Sequence, residues 1–380
     1  MAAWMAVAGI AGAEEPKRPE NPIEVLMKFQ VPDDLQFCGE PVPVQREDVR
    51  ERVEMEVLLQ LGNPGQTALW LKRMPRYFPM IEATIAEMGL PPDLKYVAVV
   101  ESSLRPDALS RAGAAGPWQF MRGTGKVCGL EQNGWVDERL DWEKSTRTAL
   151  LYLKDLHDDL GNWALALAAY NAGAGRVQGL MREQGQADYY GTLLPAETER
   201  YVFRAIAVKL ITEDPGRFGI DLTGASVYPP LATSAAEIEV KRRLPVPVLA
   251  DAAGMSYRYF RRLNPWVKGD ELPKGKYVIL VPVQTPEGWT ARLEEWESKK
   301  AVAAVSPPVS PAPAEGKADP AEATASDDPA LSRHTVQKGD TLTSIARRYA
   351  VHLEKLLSAN GLTDASVIRP GQQILLPPAN

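Results

Sequence analysis

Histidine is nearly absent: His157, His334 and His352 are the only three in 380 residues. They are scattered, so no metal set assembles around them, and the sequence calls for neither a metal nor a cofactor. The two cysteines, Cys38 and Cys128, form no C-x-x-C pair and are too few for a disulfide framework. Whether they pair with each other is left open, because geometry is not readable from sequence. There is no G-x-S-x-G nucleophile elbow. No apolar run is long enough to span a membrane, so no transmembrane helix is expected. Basic excess is lacking too: the formal net charge is −6, which gives no electrostatic footprint for nucleic acid.

What is present is ordinary for globular protein, with 45% hydrophobic and 24% charged residues over a length that suits two or three domains. Residues 1–13 are apolar and Ala-rich and end in Ala11-Gly12-Ala13 before Glu14-Glu15. That reads as the remnant of a secretory signal and points to export. Residues 14–45 are Pro-rich and mostly aperiodic, which predicts an extended leader. Cys38 is not a convincing lipidation site, since bulky Phe37 precedes it.

Residues 46–225 carry helical periodicity. Val49, Val53, Val57 and Leu61 recur at helical spacing, and Tyr77 to Met88 forms a second striped segment stopped by Gly89 and Pro91-Pro92. Leu94–Glu101 is short and apolar, Thr146–Leu160 is amphipathic, and Trp163–Tyr170 is apolar nearly all round, as in a buried helix. Pro195–Ile211 opens with Pro and acids before turning apolar. Residues 301–330 are Ala, Pro, Ser and acid, which cannot bury enough surface to fold and read as a linker. On either side of it lie two similar segments, 231–285 and 333–378. The spacing from Leu249 to Asn264 equals that from Ile345 to Asn360, which marks a diverged repeat. The second segment reads strand, helix, helix, strand, with Asp340 or Thr341 placed to cap a helix.

Three stretches carry chemistry. In the first, Glu101 ends an apolar helix and faces a loop rich in Gly, Ser and Ala. Apolar surroundings disfavour a charged carboxylate, raise its pKa and suit it to general acid work. Gly113 and Gly116 would let backbone approach a bulky substrate, while Trp118, Gln119 and Phe120 offer flat faces and an amide, the mixture that a sugar polymer needs. In the second, Tyr170 and Asn171 close the buried helix, where they can aim polar groups into a cleft. The glycines that follow, Gly173, Gly175 and Gly179, have the wrong spacing for a phosphate loop and follow a helix, so a nucleotide site is excluded. The third, Leu194 to Val202, contains Glu197 and Glu199, which by themselves read as acids favoured by a helix N-terminus.

Together, E-S-S at Glu101, G-A-A-G-P-W-Q-F-M at Gly113–Met121 and A-Y-N-A-G at Ala169–Gly173 resemble the soluble lytic transglycosylases, relatives of goose-type lysozyme. L-P-A-E-T-E-R-Y-V at Leu194–Val202 and F-C-G-E at Phe37–Glu40 point to the membrane-bound lytic murein transglycosylase D branch. The sequence departs from the family pattern at Leu104, Pro117 and Arg122. Residues 333–378 resemble a LysM domain, through G-D-T-L, N-G-L and P-G-Q-Q-I, and residues 231–285 resemble a worn LysM-like repeat without the G-D-T turn.

The resemblance implies a mainly α fold: a lysozyme-like helical catalytic domain over 46–225, plus small βααβ LysM modules. It implies peptidoglycan glycan strands of alternating N-acetylglucosamine (GlcNAc) and N-acetylmuramic acid (MurNAc) as the partner, and a place in the periplasm or cell envelope. It makes Glu101 the single acid/base, which protonates the MurNAc–GlcNAc bridging oxygen and then takes the proton of the muramic 6-hydroxyl, leaving a 1,6-anhydro end. Ser102 would orient Glu101. Gln119, Phe120, Met121, Tyr170, Asn171 and Tyr201 would line the subsites, and Glu197 would support the cleft. Gly339, Asp340, Thr341, Asn360 and Leu362 would meet glycan in the LysM domain. Two rivals remain: a hydrolase with a second carboxylate, for which Asp107 is nearest in sequence, and a non-catalytic wall-binding scaffold.

Overall fold

The structure, a computed structural model, describes residues 24, 27–305, 332–337, 340, 342–349, 351, 353–360 and 371–377. They fall into two units, Met1–Pro307 and Pro308–Asn380. The expected signal remnant lies outside the described residues, as does the expected linker from residue 306 onward. No helix among the described residues is long and apolar enough to cross a membrane.

The described part of the leader is not a loose extension. Val31, Leu35, Phe37, Cys38, Val42 and Val44 are all buried in the main core. A two-residue antiparallel pair, β1 (Gln36–Phe37) with β2 (Glu40–Pro41), sets the turn between them. The Glu40 carboxylate then accepts from the Trp163 amide at 2.9 Å. With so few residues per element, this region shows no period in the sequence, although its apolar side chains are inside.

The valine stripe forms one face of α1 (Glu47–Leu61), where Val49, Val53 and Val57 are wholly buried. Helix α2 (Pro64–Glu87) starts with Pro64 behind an Asn63 cap and continues through Pro75 and Pro79. The pattern predicts only its second half, because internal prolines normally break a helix. Helix α3 (Lys95–Ser102) buries Tyr96, Val97, Ala98 and Val99. After the short α4 (Arg122–Val127), α5 (Trp142–Leu160) is capped by Asp141 and ends at Gly161, with φ +80°. Helix α6 (Trp163–Ala172) is buried from Trp163 to Ala169, as its uniform apolarity predicts. It turns through Gly173 into α7 (Ala174–Gln184). Helix α8 (Ala196–Glu213) is the hub, packed against α1, α3 and α6. It is clamped to α1 by buried Glu56, which pairs with Arg200.

The worn repeat is a β-α-α-β unit. Strand β3 (Thr233–Val240) is followed by β4 (Leu244–Pro245), α9 (Val246–Ala252), α10 (Tyr257–Leu263), β5 (Glu271–Leu272) and β6 (Gly275–Pro282). Strands β3 and β6 pair antiparallel, from Thr233 opposite Pro282 to Val240 opposite Gly275. The unit does not end at 285: α11 (Trp289–Val305) packs Trp289, Leu293 and Glu297 onto it. The helix therefore takes up residues 301–305, which the sequence assigns to the linker. Its core is also not its own, since Ala115, Val136 and Leu140 of the helical region join the same apolar cluster.

In the C-terminal unit, β7 (Ser332–Thr335) pairs antiparallel with β8 (Gln373–Leu376) around α12 (Leu342–Arg348) and α13 (Leu353–Ala359). Asn264 and Asn360 do the same work in the two repeats. Each amide exchanges hydrogen bonds with the backbone of the closing strand, at Leu280 for Asn264 (2.7 and 2.9 Å) and at Leu375 for Asn360 (2.7 and 2.8 Å). The fold class read from the sequence, mainly α with small βααβ modules, is the one observed.

Candidate active site

Glu101 sits in the last turn of α3, and the chain leaves that helix under strain. Ser103 and Leu104 both adopt left-handed backbone, at φ 53° and 59°, and Gln119 across the loop does so at φ 48°. Non-glycine residues in this region cluster where surrounding contacts over-determine them. Here the contacts are Arg73 Nη1 donating to the Ser103 carbonyl at 2.9 Å, Gln66 Nε2 donating to the Ser103 hydroxyl, and Leu104 wholly buried beneath.

The Tyr201 hydroxyl, from α8, donates to Glu101 Oε1. Burial pushes the Glu101 carboxyl from an ordinary 4.5 to about 7. The Tyr201 hydrogen bond and the Arg204 charge oppose that rise, and the Glu197 charge adds to it. A carboxyl poised near neutrality can both give and take a proton.

Glu101 opens onto a cleft of about 710 Å³. Of the residues expected there, Gln119, Phe120, Met121, Tyr170, Asn171, Glu197 and Tyr201 all line it. Several have polar atoms already engaged. Tyr170 donates to the Trp118 carbonyl at 2.8 Å, Asn171 Oδ1 accepts from Thr198 at 2.8 Å, and Gln119 Nε2 donates to the Gly116 carbonyl at 2.7 Å. Phe120 is almost wholly buried, with Tyr170 edge-on at 6.1 Å, whereas Met121 is exposed. Sequence reasoning missed Tyr152, Arg204 and the Ser110–Arg111 wall. Arg204 had a readable signal: it lies seven residues, about two helical turns, beyond Glu197 on α8.

Three expectations are corrected, and the hydrolase rival loses its nearest candidate. Ser102 neither lines the cleft nor bonds Glu101. Its buried hydroxyl donates to the Pro117 carbonyl at 2.8 Å and tethers the following loop. Trp118 shows no face to a substrate, being wholly buried with Nε1 on Thr146 at 2.9 Å. Gly116 brings backbone close to protein rather than to ligand: at φ +84°, a Cβ would sit 1.7 Å from the Arg139 carbonyl oxygen. Asp107, the hydrolase candidate, is exposed beside Arg105 and does not line the cleft. Cys38 and Cys128 are both free thiols.

In the C-terminal unit, Gly339, Thr341 and Leu362 lie outside the described residues. Asp340 is committed to the fold, accepting from His334 Nε2 at 2.7 Å and the Gln337 amide at 2.9 Å. The Asn360 side chain is likewise spent on the Leu356 and Leu375 backbone. Both therefore brace the module, which differs from the glycan contacts expected of them.

Three family descriptions match this chain: Transglycosylase SLT domain over residues 78–191, "Lytic transglycosylase MltD, LysM-like domain" over 234–298, and LysM domain over 334–377. Membrane-bound lytic murein transglycosylase D of Escherichia coli (strain K12) is 32% identical over 311 residues, which is 80% of this chain and 64% of that protein. By these matches the chain is similar to membrane-bound lytic murein transglycosylase D, and it carries a LysM domain match over residues 334–377. This D-like chain thus spans 64% of the length of the curated relative it matches. Two solved structures overlap it in part. The lytic transglycosylase Slt of Pseudomonas aeruginosa shares 24% identity at a TM-score of 0.31, covering 40% of this chain and 26% of that one. The 70 kDa soluble lytic transglycosylase of Escherichia coli shares 22% at a TM-score of 0.34, covering 47% and 32%. The SLT match takes in Glu101 and every cleft-lining residue up to Asn171, while Glu197, Tyr201 and Arg204 lie beyond it on α8.

Proposed function

We propose that this chain is an exported lytic transglycosylase of the cell envelope that cleaves the MurNAc–GlcNAc bond of peptidoglycan and leaves 1,6-anhydro-MurNAc ends. The observation that carries this reading is the protonatable Glu101 carboxyl, held near pKa 7 by burial and bonded to Tyr201 in a cleft large enough for several sugars. Glu101 gives its proton to the bridging oxygen as that bond breaks. The oxocarbenium-like centre is then captured by the 6-hydroxyl of the same sugar, whose proton passes to the Glu101 carboxylate. An internal nucleophile has the proximity advantage without a positioned water. Tyr201 and Arg204 stabilise the carboxylate formed midway, and Gln119, Tyr170 and Asn171 hold the strand. The C-terminal LysM domain tethers the enzyme, so that weak glycan affinity suffices to keep the cleft near its substrate.

A hydrolytic reading draws on one observation, the presence of Glu197 as a second carboxylate in the same cleft. Inverting and retaining glycosidases both use such a pair. Product analysis separates the two: anhydro ends support the transglycosylase, and reducing muramic ends support the hydrolase with Glu197 activating water. Wild type and Glu101→Gln that both bind sacculi and release nothing would favour the scaffold.

A further inference from the structure

The wall of the cleft that carries Gln119 and Phe120 is not held by the helical domain alone. Arg139, 5% exposed, grips it from behind. One guanidinium nitrogen, Nη1, donates to the carbonyls of Gly113 and Phe120, both at 2.9 Å. The other two, Nε and Nη2, form a fork on the Asp137 carboxylate at 2.9 and 2.8 Å. Gly116 lies against the Arg139 carbonyl, so backbone and side chain of one residue define the loop's position.

Asp137 leads in turn to the LysM-like unit. Its amide donates to the Trp266 carbonyl at 2.8 Å, and Val136 bridges to Val267. The Lys268 and Gly269 amides both donate to the Trp135 carbonyl, at 2.7 and 3.0 Å. Packing repeats the link: Ala115, from the cleft loop itself, belongs to the same apolar cluster as Leu249, Phe260 and Ile279.

We infer that Arg139 is a positioning residue that couples the LysM-like unit to the cleft, so that the unit serves as a brace for the Gly113–Phe120 wall. This deepens the transglycosylase reading and rests on it for its kinetic consequences. Planar fork geometry is what allows one side chain to hold a carboxylate and two carbonyls at once, and lysine cannot reproduce it. The wall touches substrate, while Glu101, Tyr201 and Arg204 stand on α3 and α8. Loosening the brace therefore displaces substrate contacts and leaves the titration of the acid where it was.

The test uses the full chain with two substitutions placed far apart, Arg139→Lys and Gly269→Ala. A Cβ at Gly269 would meet the Trp135 ring at 2.7 Å and wedge the contact from the LysM-like side. The first readout is hydrogen exchange at the amides of Ala114, Ala115, Gly116 and Gln119. Both variants should raise it, while α3 and α8 stay protected. The second readout is kinetics on soluble glycan strands, where KM should rise roughly tenfold with the pH midpoint unmoved. Exchange that rises only within residues 233–298 for Gly269→Ala would overturn the coupling. So would a loss of rate that tracks the folded fraction at constant KM. Exchange needs no turnover, so a chain in which wild type and Glu101→Gln are equally inert removes the catalytic reading while the brace is still decided.

Discussion

The Tyr201 hydroxyl and the Arg204 charge lower the Glu101 pKa, whereas burial and Glu197 raise it. Activity that needs the protonated acid should fall as pH rises through about 7. Tyr201→Phe should move that alkaline limb upward and Glu197→Gln downward, read from kcat/KM against pH. Stability carries the same imprint with a definite sign. The folded pKa of about 7 exceeds the ordinary 4.5, so the native state binds the proton more tightly than the unfolded chain. The resulting stability is fully present below pH 4.5 and is lost as pH rises through about 7, by on the order of 3 kcal/mol. Glu101→Gln should therefore be more stable than wild type in urea melts at pH 8, with the gap closing at pH 4.5. Glu101 was legible in the sequence through the E-S-S motif of the family it resembles, since an acid closing an apolar helix is by itself more often a solvated helix-terminal carboxylate. The orienting role that the resemblance implies for Ser102 is not seen, because a motif fixes residue type and not the direction of a side chain. Its hydroxyl turns back to Ala98 and across to Pro117, away from the carboxylate beside it.

Among the elements, the closing strands of the two repeats depend on one asparagine each. Asn264 is wholly buried and serves both backbone polar groups of Leu280. Asn264→Ala leaves those groups unpaired and should lower stability by about 2 kcal/mol in denaturant melts. Asn360→Ala should cost the C-terminal unit less, since Asn360 is only half-buried. The shared spacing that ends at these asparagines was the visible trace of the repeat, and it is visible because this contact requires an amide, both donor and acceptor, at one position. Helices α5 and α6 were legible through their apolar faces, and α8 through its opening of Pro and acids before an apolar run. The first half of α2 was hidden by Pro75 and Pro79, and the buried β1–β2 segment by elements too short to show a period. Gly116 was recognised as a close-approach glycine, but what it approaches, the Arg139 backbone, is a tertiary fact.

At the scale of the molecule, a helical domain and a LysM-like unit share one apolar cluster, and the second LysM unit folds around a core of its own. The C-terminal unit should therefore be separable in function. Ile374→Asp, placed in that wholly buried core, should reduce co-sedimentation with intact sacculi several-fold and leave turnover of soluble glycan strands unchanged, as expected of a tether. The most direct test of the central claim is to incubate the purified chain with sacculi and identify the released muropeptides by mass spectrometry. The wild type should release 1,6-anhydro-MurNAc ends and Glu101→Gln none. Reducing muramic ends, or equal release by the two proteins, would contradict that claim.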